Sequence, residues 1–274
     1  MKPQTLNLIS YSGGKDSGAL ALRLKALGIP NLVLVFCDTQ WEHPTTMRYV
    51  WEFARAVGLR LVVLPSEGMA ALCARKKRAP SVKARFCTEE LKLKPFRAYV
   101  DRLKAQGFGV AVYLGERAEE SHARAQKSRT EMSDYYKAPL IRAIHDFKLS
   151  DVIAIHRDHG IPLNPLYSQG MGRVGCMPCI MARKGELGAI ARRFPETFDK
   201  VAELEQSTGH IWWAPGFIPA RMCSVDVSTK DGRTVAVPTA QDVKRWALNT
   251  QDPKDLIDMF TARTPCESPI GYCE

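Results

Sequence analysis

The residues with the plainest chemical purpose lie near the start of the chain, in Ser12-Gly13-Gly14-Lys15-Asp16-Ser17. Two adjacent glycines let the backbone approach an anion, and a helix N-terminus behind them offers free N–H groups and a positive dipole end. Ser12 and Ser17 add hydroxyl donors, and Lys15 adds a point charge. The combination is a cradle for phosphate. It is not the GxxxxGKS pattern, which excludes the common NTPase loop. A second group is Cys176-Met177-Pro178-Cys179, a CxxC whose spacing lets two thiolates reach one centre. An iron–sulfur cluster, half of a zinc site and a redox dithiol all use that spacing. Asp38 closes one apolar run, where a carboxylate is well placed to meet a nucleotide. Arg117 and Arg124 follow another, where two guanidinium groups can clamp phosphate bidentately.

Elements must hold these groups. Leu6 to Tyr11, Asn31 to Cys37, Arg60 to Pro65 and Val110 to Gly115 read as continuous apolar strands. Helical apolar spacing is expected over Gly18 to Leu27, Pro44 to Gly58, Thr88 to Gly107 (kinked or restarted at Pro95) and Leu149 to His159. Strands alternating with helices predict a doubly wound α/β fold, a mainly parallel sheet with helices on both faces. This organisation covers residues 1–160. Residues 161–274 change texture: a loop rich in Pro, Gly and Cys to residue 183, a helical stretch from Lys184 to Ser207, and Trp212, Trp213, Pro215 and Pro219 in irregular packing. Helices near Thr239–Asn249 and Pro253–Phe260 then precede a tail holding Cys266 and Cys273. The expectation is a nucleotide-binding domain over 1–160 and a mostly helical, cysteine-bearing C-terminal region over 161–274.

Composition sets limits. The chain has 274 residues, 45% of them hydrophobic and 25% charged, an ordinary globular balance that excludes a mainly disordered protein. No apolar run approaches the ~20 residues of a membrane helix. Met1-Lys2-Pro3-Gln4 leads directly into the first strand, so no targeting segment is expected. Eight cysteines are too few for a disulfide scaffold. A cytoplasmic protein with reduced thiols is the expectation. The formal charge of +10 is concentrated. Between Arg75 and Lys104 eleven basic residues face three acidic ones, a net +8 that would attract a polyanion such as nucleic acid.

Ser12 to Ser17 resembles the signature loop of the PP-loop ATP pyrophosphatases, the adenine nucleotide alpha hydrolases. Cys37-Asp38-Thr39, with Gln40 where a Gly is usual, resembles a segment of the phosphoadenosine phosphosulfate reductase branch. So do Gly115-Glu116-Arg117 through Ser121 to Arg124, Cys87 with Leu91-Lys92 and Pro95, and Asn164 to Tyr167 followed by Gly175-Cys176-Met177-Pro178-Cys179. These matches run over about residues 6 to 180. The resemblance implies ATP and Mg²⁺ as ligands. Ser12, Gly13, Gly14, Lys15 and Ser17 would hold the β and γ phosphates, and Asp38 and Gly115 would meet the metal or nucleotide. Lys15, Asp16, Arg117 and Arg124 would be catalytic. It also implies a [4Fe–4S] cluster on Cys87, Cys176, Cys179 and Cys273, with Cys266 as substitute, although Thr88 stands where iron–sulfur members carry a second adjacent cysteine. Cys223 is a weaker contender, and Cys37 and Cys73 sit in apolar settings that suit core thiols.

Three functions remain open at this level. One is an ATP pyrophosphatase that adenylates a nucleic acid so that sulfur replaces oxygen, in the style of the DNA phosphorothioation and tRNA thiolation enzymes, with a cysteine desulfurase as sulfur donor. Another is a sulfonucleotide reductase releasing sulfite. The third is a binding module without turnover. The intact Lys15-Asp16-Ser17 and the basic segment favour the first. The tail Gly271-Tyr272-Cys273-Glu274 also lacks the Glu-Cys-Gly arrangement that carries a reductase's attacking cysteine.

Overall fold

The structure is a computed structural model that describes residues 4–229 and 231–250. The expected helix Pro253–Phe260, Cys266 and Cys273 lie outside the described residues. In chain order the elements are β1 (Thr5–Ser10), α1 (Lys15–Ala26), β2 (Leu32–Cys37), α2 (Pro44–Val57), β3 (Arg60–Leu64), α3 (Met69–Lys76), α4 (Phe86–Thr88), α5 (Lys94–Ala105), β4 (Gly109–Leu114), α6 (His122–Ala125), β5 (Thr130–Ser133), β6 (Ala138–Ile141), α7 (Leu149–Asp158), α8 (Lys184–Arg193), α9 (Glu196–Thr208), β7 (Val225–Ser228), β8 (Thr234–Val237) and α10 (Ala240–Leu248).

Six strands form one sheet in the order β3-β2-β1-β4-β6-β5. All neighbours are parallel except β5 and β6. The two faces follow from strand alternation. Ile9 and Leu34 turn to one face, where Leu20, Leu24, Phe53 and Val57 of α1 and α2 cover them. Leu8, Val33 and Val35 turn to the other, beneath Phe96, Tyr99, Val100 and Leu103 of α5. The sheet is therefore doubly wound, with helices on both faces. The chain winds outward from β1 to β3 and then crosses back to place β4 on the other side of β1. The loops after β1 and β4 diverge at that switch point, which opens a crevice at the strands' C-terminal ends.

Several local details differ from expectation. α1 begins at Lys15 rather than Gly18, so half of the glycine motif is already helical. Pro95 sits in the first turn of α5, immediately after a π-helical stretch, Glu89–Leu93, so the helix restarts there. The stretch from Lys184 divides into α8 and α9 around Phe194-Pro195, because Pro195 has no N–H to continue α8.

The residues after 160 build a third core with α3. Trp41 stacks on Trp212 at 5.1 Å between ring centroids. The Trp41 indole N–H donates to the Pro178 carbonyl at 3.2 Å, and the Met177 amide donates to the Trp41 carbonyl at 2.8 Å. The cysteine loop is thereby pinned to the segment that follows β2.

Candidate functional site: a phosphate loop at the sheet switch point

The loop after β1 is shaped by its glycines. Gly13 has φ +73°, and a Cβ there would stand 2.9 Å from Val50 Cγ2. Gly14 is the N-cap of α1 and makes no side-chain cap, so the first amides of the helix face the loop. Ser17 Oγ ties the turn together. It donates to the Gly14 carbonyl at 3.0 Å and accepts from the Ser12 amide at 3.2 Å.

Side chains from beyond residue 155 fix the same backbone. Asn164 Nδ2 donates to the Gly13 carbonyl at 3.3 Å, and the Lys15 amide donates to Tyr167 Oη at 3.1 Å. His156 Nε2 donates to the Lys15 carbonyl at 2.9 Å, which places its proton on Nε2. Burial lowers the His156 pKa, so the ring is neutral there. Gly18 makes this possible: a Cβ at Gly18 would come within 2.7 Å of the His156 ring.

The loop after β4 packs onto the start of α1. A Cβ on Gly115 would lie 3.0 Å from the Ser17 amide nitrogen and 3.1 Å from the Asp16 carbonyl. Arg117, only 4% exposed, donates from Nε to Asp16 Oδ1 at 2.6 Å and also pairs with Glu119. Asp16 in turn holds Lys15 Nζ at 3.0 Å. The Arg117 guanidinium is thus buried among carboxylates and holds Asp16. Arg124 is ion-paired with Glu120 and more exposed, in a separate turn.

Asp38 directly follows β2, and its carboxylate accepts the Gln40 amide at 2.8 Å and so caps the following turn. Nothing in the sequence marked Glu42 for a role. It accepts from the Thr39 amide at 3.1 Å and the Thr39 hydroxyl at 2.7 Å. Cys176 Sγ lies 3.4 Å from the same hydroxyl. A cavity of about 70 Å³ lies between this group and the phosphate loop, lined by Ser12, Cys37, Glu42, Lys92, Tyr136 and Gly175. Lys92 is held charged, its pKa raised first by Cys176, against burial, with Glu42 and Cys179 adding. The isolated Leu91-Lys92 pair was the sequence signal for this lysine, but nothing in its spacing told which groups it would meet.

The cysteines gather less tightly than a cluster requires. Cys87 and Cys179 are electrostatic neighbours, as are Cys176 and Cys179. Among the described residues, however, no three His, Cys, Asp or Glu side chains are grouped so as to hold a metal. The described thiols alone do not fit the expected [4Fe–4S] site, and no chemistry is routed through one. Burial pushes the thiols of Cys87 and Cys176 up, against the pull of Lys92, and those of Cys37 and Cys73 to about 11 and about 12.

The basic segment is also less bare than its count suggests. Arg75 pairs with Glu67 and Glu90, Lys76 and Lys94 with Glu90, and Arg97 with Asp101. The exposed cations Lys77, Arg78, Lys83 and Arg85 lie on the connection between α3 and α4, with Arg78 over the Phe86 ring. No helix of the described residues is long and apolar enough to cross a membrane.

A phosphate-shaped loop at the switch point of this sheet defines a nucleotide-binding α/β protein. Residues 7–182 match the phosphoadenosine phosphosulfate reductase domain, and the chain belongs to that family. An uncharacterised 37.8 kDa protein of Escherichia phage 186 is 31% identical over 98% of this chain and 97% of its own length. An uncharacterised protein of Methanocaldococcus jannaschii is 32% identical over 70% of this chain, which spans 40% of that protein. The phosphoadenylyl-sulfate reductase of Candida auris, in its phosphate complex, is similar at 17% identity with a TM-score of 0.49, covering 64% of this chain and 81% of the reductase chain.

Proposed function

We propose that the chain binds MgATP in the crevice after β1 and β4, cleaves it between the α and β phosphates, and adenylates an oxygen of a nucleic acid. The observation that carries this reading is the intact phosphate loop. The glycine turn, the N-terminus of α1, Ser12 and Lys15 lie together in one loop, and Asp16 and Arg117 brace it. Such a site suits the β and γ phosphates of a triphosphate. The acceptor oxygen would attack the α phosphorus, the bond from that phosphorus to its bridging oxygen would break, and pyrophosphate would leave. A sulfur nucleophile from a separate donor, such as a cysteine desulfurase, would then displace AMP. An oxygen joined to AMP leaves far more easily than hydroxide. The exposed cations of residues 77–85 supply charge for the polyanion.

A sulfonucleotide reductase is the second reading, favoured by the family match over residues 7–182. It requires an attacking thiolate; burial pushes the thiols of Cys37 and Cys73 up to about 11 and about 12, and Cys273 of the tail lies outside the described residues. The two readings separate in one assay. The purified chain is given ATP with and without DNA or RNA, and separately a sulfonucleotide with a dithiol reductant. Pyrophosphate release that vanishes in Lys15→Ala supports the first reading. Sulfite release without pyrophosphate release replaces it with the second.

A further inference from the structure

The space where Gly14 lacks a side chain is a small polar cradle. A Cβ placed there would stand 3.3 Å from Ser12 Oγ, 3.3 Å from Tyr167 Oη and 3.9 Å from the Val174 carbonyl. Two hydroxyls from opposite ends of the sequence therefore flank one site at the N-terminus of a twelve-residue helix. Tyr167 is 2% exposed, and its oxygen accepts from the Lys15 amide at 3.1 Å. No described residue accepts its phenolic proton. The ring is fixed by burial, and Lys15 Nζ lies over it, 5.4 Å from the centroid. Burial first, and then Asp16, raise the phenol well above its ordinary value, so it keeps its proton to donate.

Resting on the proposed nucleotide site, we propose that Tyr167 is an anion-binding residue of that site. Its hydroxyl donates to a phosphate oxygen in the cradle opposite Gly14, and the Ser12 hydroxyl turns to the same oxygen from Ser17 Oγ, 3.3 Å away, which it otherwise meets. A purely structural tyrosine would need only to accept from Lys15. The second hydroxyl across the cradle and the unused proton are what a phosphate oxygen would engage. The role falls to a residue 152 positions from the loop amide it touches. The cysteine-bearing region therefore completes the phosphate site rather than flanking it.

The test is calorimetric titration with inorganic pyrophosphate and, separately, adenosine, on the full chain and on Tyr167→Phe, with a thermal melt of each. Losing one hydrogen bond to a charged oxygen should weaken pyrophosphate binding about ten- to a hundredfold. Adenosine affinity should be unchanged, and the melting temperature should fall by only the few degrees that the lost Lys15 amide bond costs. Equal pyrophosphate affinity in the two proteins overturns the inference and leaves the proposed function standing. Failure of the unsubstituted chain to bind either pyrophosphate or ATP removes the proposed function itself, and this inference with it. Gly14→Ala serves if Tyr167→Phe melts early. Gly14 has φ −91°, which alanine adopts without strain, and the added methyl fills the cradle. Loss of pyrophosphate binding in a folded Gly14→Ala protein supports the assignment, and retained binding overturns it.

Discussion

Arg117 offers the sharpest test of how the loop is held. Its Nε donates to Asp16 Oδ1 at 2.6 Å, with side-chain exposures of 5% and 18%. Opposite charges with centres about 4 Å apart attract by about 4 kcal/mol at an effective dielectric near 20. Each partner has a second tie, Asp16 to Lys15 and Arg117 to Glu119. Measured couplings of residues in contact run at about 0.5–3 kcal/mol, so a coupling of about 2 kcal/mol is expected for this partly buried pair. The perturbation is a double-mutant cycle of Asp16→Asn and Arg117→Met, read by urea unfolding with the m-value checked for constancy. Arg117→Met alone should cost about 2–4 kcal/mol, near the lower end for breaking a buried pair, because Asp16 keeps Lys15. A coupling below about 0.5 kcal/mol would refute the argument that this pair braces the loop. So would an Arg117→Met protein of unchanged stability that has lost only pyrophosphate affinity. That result would return Arg117 to the role of an open phosphate clamp.

Three further outcomes follow from the same geometry. Gly115→Ala pushes a methyl against the backbone of Asp16 and Ser17, which cannot rotate away, so thermal melts should show a loss of about 1–3 kcal/mol, or about 2–4 °C for each kcal/mol. His156 is buried with its pKa lowered from 6.5, so its neutral form stabilises the fold fully above that pH. As pH falls below 6.5 the unfolded chain takes up the proton more readily, and stability relative to His156→Gln should decline; a pH-independent difference in melts would contradict this. Replacing exposed Lys83 and Arg85 by Glu should lower nucleic-acid affinity and reduce the salt slope by about one for each phosphate left without its cation, whereas Arg97→Glu, at a cation already paired with Asp101, should change it less.

The first four strands were legible in the sequence because they are continuous apolar runs, largely buried in β1, β2 and β4 and half-buried in the edge strand β3. The phosphate loop was legible because its residues are contiguous. The start of α1 was misplaced by three residues because Lys15-Asp16-Ser17 reads as a polar loop when it is a first helical turn. β5 and β6 escaped notice because each has four residues, and Pro139 within Ala138–Ile141 argues against a strand unless it lies near an edge. The commitments of Arg117 and Tyr167 were beyond reach for a different reason. They depend on contacts across 101 and 152 residues, and only the closed fold brings β4 and the 164–167 turn onto one helix end. The charge count misled in the opposite direction. Glu90 alone meets Arg75, Lys76 and Lys94; the Lys94 pair is local, four residues on, but the meeting with Arg75 and Lys76 of α3 depends on the fold.

The central claim is that this loop splits a triphosphate between its α and β phosphates. Pyrophosphate release from MgATP, followed with and without DNA or RNA, tests it most directly. The account predicts release of pyrophosphate and AMP in equal amounts, stimulated by the nucleic-acid acceptor and abolished by Lys15→Ala. Release of orthophosphate and ADP instead, or pyrophosphate release that survives Lys15→Ala, would contradict it.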